Sequence, residues 1–310
     1  MEHKTRRLLS FTSGLLFVGT MVVGNPILAA TATSGSSNAQ HIKEAVTAKA
    51  TQKALQKSQN FNADAVAAIN QVEQAASLLK REKYEDALNQ LKSADKRLES
   101  AIAADPSLKL IPVMQDVRTY DLMTSPNEVK DEVNSISEEL KSGNVQEARV
   151  RLDQLRSELI TNYVYLPVEI YPAAIKEAVK EVDAKQYQQA EATIETAMHS
   201  LVQELEVIPL PVALANDAIL DAEAKRSTDS DQALWDLDYA HEQMLTAERL
   251  GYFYGDTEDY KAALQHIENL RDAMGGNKSE IDTLFTKAKE GVKHLVDKFQ
   301  TTHHPVEHGK

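Results

Sequence analysis

The sequence predicts an all-α protein, an irregular helical bundle built from duplicated helical hairpins, and three observations carry that expectation. Leu140, Val145, Ala148, Leu152, Leu159, Ile160, Leu166 and Pro167 recur 42 residues later as Val182, Tyr187, Ala190, Ile194, Leu201, Val202, Ile208 and Pro209. From Ile42 onward, apolar residues return every three or four positions, the period of a helix with one buried face. Hydrophobic residues make up 42% of the chain and aromatic residues only 5%. The core is therefore expected to be Ala, Leu, Val and Ile, which suits closely packed helices.

Residues 1–32 are set apart from the fold as an export signal. Lys4, Arg6 and Arg7 form a basic start, Leu8–Val23 is mostly apolar, and Ala30-Thr31-Ala32 supplies a cleavage site, with cleavage expected after Ala32. The apolar run is interrupted by Ser10, Thr12, Ser13 and Thr20, and a spanning helix needs about 20 predominantly apolar residues. No stable membrane insertion is expected after cleavage, and the compartment expected is the periplasm. Thr33–Gln40 reads as a flexible start, so 33–60 comprises that start and a first helix from near His41 to Lys57.

A second helix is predicted from about Asn62 to Lys80, and a third carries Tyr84, Ala87, Leu88, Leu91 and Leu98 before Asp105-Pro106 ends it. Ser125, Pro126 and Glu128 form a capping box with proline at the first helical position. They open a helix through Leu140, and Ser142-Gly143-Asn144 turns the chain into a partner helix expected to run through Leu159. Pro172 opens the second copy of this hairpin. Tyr84, Ala87 and Leu91 look like a looser, earlier copy, with Ile111-Pro112 as its apolar-proline step. The period differs from the 34 residues of tetratricopeptide repeats, so a compact bundle is preferred to a regular solenoid. Further helices are expected from Pro211 to about Lys225, after the polar break Ser227–Ser230, and from Glu258 to Met274. The last, Ser279–Phe299, puts Ile281, Phe285, Val292 and Phe299 on one stripe, to be buried in this domain or against a second subunit. Residues 301–310 are expected to form a disordered tail.

Composition narrows the partners. There is no cysteine, which rules out disulfides, a thiol nucleophile and thiolate metal sites. The formal charge is −13, and removing residues 1–32, which carry three basic residues against Glu2, takes it to −15. Binding to nucleic acid, which needs clustered Lys and Arg, is not expected.

Residue chemistry supplies no catalytic site. Ser77–Lys80 and Ser93–Lys96 match S-x-x-K, but the companion elements of that acyl-transfer set are missing and both lie in amphipathic helices. Asp238, His241 and Glu242, Glu195 with His199, and Glu290 with His294 read as exposed ion pairs, since a di-iron bundle needs two E-x-x-H helices and two further glutamates. Asp229 and Asp231 fail as a calcium loop, because Leu234 and Ala240 stand where glycine and glutamate are required. No catalytic residue, no metal and no cofactor are expected, and the protein is read as a non-enzyme.

The apolar-proline steps Leu110–Val113, Tyr165–Val168 and Val207–Pro211 must be extended connectors, because proline lacks the N–H and restricts its predecessor. They are either buried links or the lining of an apolar groove framed by Tyr165, Leu166, Pro167, Tyr171, Tyr187, Ile208, Pro209 and Leu210. Tyr165–Val168, the helix start Pro172-Ala173-Ala174-Ile175 and above all Leu201–Ala215 (LVQELEVIPLPVALA) resemble the YfdX family of bacterial proteins. The likeness spans about 61–250, taken as the YfdX-like helical domain, and leaves 251–300 as a C-terminal helical extension. The resemblance implies an exported, mostly helical protein of acid and drug stress with chaperone-like or ligand-binding behaviour, and no catalytic residues to carry over. The function expected is thus a periplasmic stress-response protein that binds unfolded or stressed proteins. Two alternatives stay open: a bundle that binds an apolar small molecule, and a homo-oligomeric scaffold assembled through the Ile281–Phe299 stripe.

Overall fold

The structure, a computed structural model, describes residues 20–24, 35–58, 61–122, 124–253, 257–276, 280–301 and 303–305. The rest of the expected export signal, its cleavage point and most of the expected tail lie outside the described residues. The fold is mostly helical, with eleven helices among the described residues.

Three consecutive helix-helix-strand copies organise the middle of the chain. The first is α2 (Ala63–Lys80), α3 (Tyr84–Ala104) and β2 (Leu110–Asp121). The second is α4 (Pro126–Lys141), α5 (Val145–Gln154) and β3 (Glu158–Pro167). The third is α6 (Ile170–Asp183), α7 (Tyr187–His199) and β4 (Val202–Pro209). Before them lie β1 (Thr20–Gly24) and α1 (Gly35–Ser58). After them come α8 (Leu210–Lys225), α9 (Ser230–Arg249), α10 (Thr257–Met274), α11 (Ile281–Thr301) and β5 (His303–Pro305).

The helical turns prove the copies equivalent. Glu82, Gly143 and Lys185 stand at matching positions with φ of 59°, 82° and 60°. Each is followed by a residue whose N–H reaches back five residues: Lys83 to Leu78, Asn144 to Glu139 and Gln186 to Glu181. This is the left-handed helix stop that satisfies orphan carbonyls. Only the second copy uses glycine for it. The capping box at α4 is formed as predicted, Ser125 accepting from the Glu128 N–H and Glu128 accepting from the Ser125 N–H.

Extended structure exceeds what the periodicity predicts. The helix expected to run through Leu159 stops at Gln154, and β3 follows. Its Leu159, Thr161 and Tyr163 are buried in alternation, a two-residue period that polar Thr161 and Asn162 mask. β2 buries Ile111, Val113, Gln115, Val117 and Thr119, and here Gln115 and Thr119 hide the pattern. Ile111-Pro112 opens β2, whereas Pro167 and Pro209 close β3 and β4. The first copy's proline step is therefore not equivalent to the other two. The strands are ordered β1-β2-β3-β4-β5. β1 runs parallel to β2 from Thr20 opposite Val117 to Gly24 opposite Asp121, so Pro112, which cannot donate to a ladder, lies outside that pairing. β5 pairs antiparallel with Glu204–Glu206, placing His303–Pro305 of the expected tail in a strand.

The described residues fall into two compact units. The first comprises 57–115 and 163–203; the second comprises the described residues of 18–56, 116–162 and 204–310. In the first, α2, α3, α6 and α7 share one core that includes Val72, Leu79, Leu91, Leu98, Ile175 and Ile194. Tyr84 and Tyr187, at equivalent positions of two copies, stack with ring centroids 3.5 Å apart. In the second, α1 and α8 to α11 surround a core that includes Leu210, Leu237, Met244 and Phe285. The α11 stripe is consumed there: Phe285, Ala288, Val292 and Leu295 are fully buried, with Gly291 permitting close approach to Ala263 on α10. The C-terminal extension is thus part of the second unit's core.

Candidate functional site: an apolar strip covered by helix α1

The expected groove residues do not line one open groove. Tyr165, Leu166, Pro167, Tyr171 and Tyr187 belong to the first unit, and Ile208, Pro209 and Leu210 to the second. Leu166 and Tyr171 lie inside the first unit's core, where the Tyr171 hydroxyl reaches Met198 Sδ at 3.4 Å. Burial pushes the Tyr171 phenol well above its ordinary range. Tyr165 is half-buried, and the ring of Tyr187 is taken up by Tyr84.

Ile208 and Leu210 are buried for a different reason. Ile208 packs with Ala54, Val117 and Leu159, and Leu210 shares a core with Ile42 and Val46. Ala54, Ile42 and Val46 all come from α1, so the N-terminal helix is the cover of this strip. α1 is a weakly amphipathic cover: within it only Ile42, Val46 and Ala54 are buried, too little apolar area to hold 24 residues in place by burial alone.

Lysines do the rest. Lys43 donates to Asp121 Oδ2 at 2.8 Å, Lys49 to Asp217 Oδ2 at 2.7 Å, and Lys53 to Glu206 Oε1 at 3.2 Å. At the helix end, Lys57 donates to the Tyr163 hydroxyl at 2.8 Å and lies 4.3 Å from that ring's centroid. Near the start, Asn38 Nδ2 donates to Gln232 Oε1. Two of the pairs are asymmetric, with side-chain exposure of 45% for Lys53 against 5% for Glu206 and 60% for Lys49 against 9% for Asp217, whereas Lys43 and Asp121 are alike at 17% and 15%. In those two asymmetric pairs the cation reaches in from water over a carboxylate that water scarcely touches. Thr119, buried on β2, has no hydrogen-bond partner for its Oγ1, so part of this strand face gains polar contacts when wetted.

The lysine clamp escapes a reading of the sequence because Lys43, Lys49, Lys53 and Lys57 look like an ordinary solvated helix. The one available signal is the four-residue spacing of Lys49, Lys53 and Lys57 together with an acid, Glu206, inside an apolar extended segment. A second unforeseen group is Glu73 on α2, a half-buried acid that burial pushes up to about 6.

The other candidates are dispersed. His241 meets Glu268 at 3.3 Å, while Asp238 is held by Arg271. His199 Nδ1 contacts the Glu195 carbonyl at 2.7 Å. Ser93 accepts from Gln71 at 2.9 Å. A cleft of about 280 Å³ between α10 and α11 is lined by Asp259, His266, Lys287, Glu290 and His294. There His294 lies 3.3 Å from Asp259, and the Lys298 ammonium and then His294 hold the Asp259 carboxyl below its ordinary range. No group of three or more His, Asp or Glu is arranged to hold a metal among the described residues.

The class defined by this architecture is a mostly helical protein made of helix-helix-strand copies, with an N-terminal helix clamped over an apolar strip. Residues 68–207, a stretch of just under half of the chain, match the family model described as YfdX protein. The match begins within α2 and ends within β4, so α1 and α8 to α11 lie beyond it. A solved structure of YfdX from Salmonella Typhi aligns at 14% identity over 48% of this chain and 93% of its own, with a TM-score of 0.34. Among curated proteins, none matches the chain.

Proposed function

We propose that this is a non-enzymatic, exported stress protein that binds exposed apolar surface of other proteins in acid, with α1 as the cover of its binding strip. The observation that carries the reading is the way α1 is held, by exposed lysines on buried carboxylates over a strip containing Val117, Leu159, Ile208 and Leu210. Lysine keeps its charge in acid, whereas carboxylates as a class protonate near pH 4. A clamp without its anionic half leaves α1 with little apolar area to retain it. The strip beneath is chemically suited to apolar segments of a partly unfolded client. The basic, apolar start of the sequence and Ala30-Thr31-Ala32 support export to the periplasm, a compartment that equilibrates with acid outside the cell.

The test is light scattering from an aggregating client at neutral pH and near pH 4, using the wild-type protein and Lys49→Gln/Lys53→Gln. Wild type is expected to suppress aggregation only in acid, and the double variant at both pH values. A variant indistinguishable from wild type would remove α1 as the gate, and no suppression under any condition would end the client-binding reading itself.

A further inference from the structure

The second helical hairpin differs from its two siblings in what it leaves uncovered. In the first unit the α2–α3 and α6–α7 hairpins lie side by side, α3 along α6 and α2 along α7. Leu79 and Val182 end the first helices of those hairpins, and Leu91 and Ile194 sit on the second helices; all four are buried in the shared core. The equivalent residues of the α4–α5 hairpin are Leu140 and Leu152, which are 46% and 49% exposed. Val145, the counterpart of the stacked Tyr84 and Tyr187, is 53% exposed. Within α5 only Ala148 is buried. The hairpin is held together largely by Arg151, which donates to Glu132 at 2.7 Å and also binds Glu139 and Ser135.

We propose that the α4–α5 hairpin is a self-association surface, occupied by the α4–α5 hairpin of a second copy of this chain in the way the first and third hairpins occupy one another. Apolar exposure alone would fit many partners; charge selects this one. In the internal pair Lys92 of α3 meets Asp183 of α6 at 3.3 Å. The residues at those two positions of the second copy are Asp153 on α5 and Lys141 on α4. The signs are reversed and still opposite, so two hairpins related by a two-fold axis form the pair twice, Asp153 of each against Lys141 of the other. Isologous contacts of this kind are the commonest way for a chain to pair with itself. Lys141 and Asp153 are 68% and 74% exposed, and each pairs only three residues along its own chain, with Glu138 and Arg156. Such exposed local pairs are worth little and are readily exchanged. Val145 falls on the axis against its own copy, and Leu140 and Leu152 close around it.

Protein purified after expression of the full chain is examined by sedimentation and by light scattering coupled to size exclusion, over a concentration series. A dimer is expected. Lys141→Glu alone and Asp153→Lys alone each set like charges across the axis and should weaken dimerisation about tenfold or more. The combination K141E/D153K should recover the wild-type constant to within about threefold, as coupled contacts do. Leu152→Glu should give a monomer with unchanged helical content. A wild-type monomer at every concentration overturns the proposal and leaves the hairpin to a different partner. So does a dimer that the single charge variants leave intact, or one that the double variant fails to restore. Because Lys141 and Asp153 are solvent-exposed and outside both cores, the charge series decides the matter even where Leu152→Glu does not fold.

Discussion

Replacing Lys53 by Gln tests the clamp most directly. The Lys53 ammonium lies 3.2 Å from Glu206 Oε1, with the carboxylate almost wholly buried. At an effective dielectric of about 20, the gross attraction at that distance is about 5 kcal/mol. Most of this is offset by desolvation, and removing one partner of a fully buried pair costs about 3–5 kcal/mol. Lys53 is half in water, so about 1–2 kcal/mol is expected, borne by the α1 attachment. Opening of α1 should therefore rise about 5- to 30-fold, read as faster amide hydrogen exchange across residues 43–54 at neutral pH. Glu206→Gln is the informative control. It removes the charge that attracts the lysine without leaving a buried charge unpaired, so its cost should be about 1 kcal/mol, somewhat below that of Lys53→Gln. It should also flatten the acid dependence of α1 opening. If either E206Q or K53Q left exchange in α1 unchanged, the charge pair would not be what holds the helix.

Three further substitutions report on separate features. Burial raises the Glu73 carboxyl from 4.5 to about 6, so its contribution to stability is fullest below pH 4.5 and is lost as pH rises through 6; allowing for partial exposure, Glu73→Gln should gain about 1 kcal/mol at pH 7 and almost nothing at pH 4.5 in urea unfolding. Gln115 is buried with neither amide atom hydrogen-bonded, so Gln115→Met should raise stability by about 1 kcal/mol, and a loss of that size would reveal a hidden partner. Lys185 holds φ at 60° where its second-copy counterpart is Gly143; a left-handed side chain costs about 1–2 kcal/mol and glycine's extra chain entropy about 0.5–1, so Lys185→Gly should gain about 0.5 kcal/mol by thermal unfolding.

The helices are legible in the sequence because their signals are local. Ser125 with Glu128, the Ser142-Gly143-Asn144 turn and the apolar period of α2 each depend on residues within a turn or two of one another. β2 and β3 are not legible, because the residues that make them strands are buried by partners distant in sequence and include Gln115, Thr119 and Thr161 at inward positions. The proline steps are extended as read except at Leu210 and Pro211, which open α8 because proline is tolerated in a first helical turn, and whether an extended segment pairs in a sheet depends on neighbours that the local sequence does not name. Ile208 and Leu210 read as either buried links or the lining of a groove. Their occupant is α1 from the same chain, and nothing in Ile42, Val46 and Ala54 distinguishes that helix from a solvated one until Asp121, Asp217 and Glu206 are seen beneath its lysines.

The acids of the two units sit in opposite surroundings. In the first unit Glu73 is disfavoured in its charged form, and burial likewise raises Asp95 despite the nearby Lys176. Protonating either group as pH falls relieves a cost of the folded state. In the second unit the clamps run the other way: Asp121, Asp217 and Glu206 face α1 from β2, α8 and β4, and α1 presents Lys43, Lys49 and Lys53 to them. Neutralising one of those acids removes attraction from α1, offset in part by the relief of a buried charge. In the proposed acid response α1 opens while the core of α2, α3, α6 and α7 keeps its packing, which is what a protein that must stay folded while uncovering one apolar strip requires. Hydrogen exchange at neutral pH and near pH 4, corrected for the intrinsic rate, separates the two: α1 peptides should lose protection and α2 peptides around Glu73 should keep or gain it. Loss of protection in both together would mean general acid unfolding, and the gate would have no independent existence.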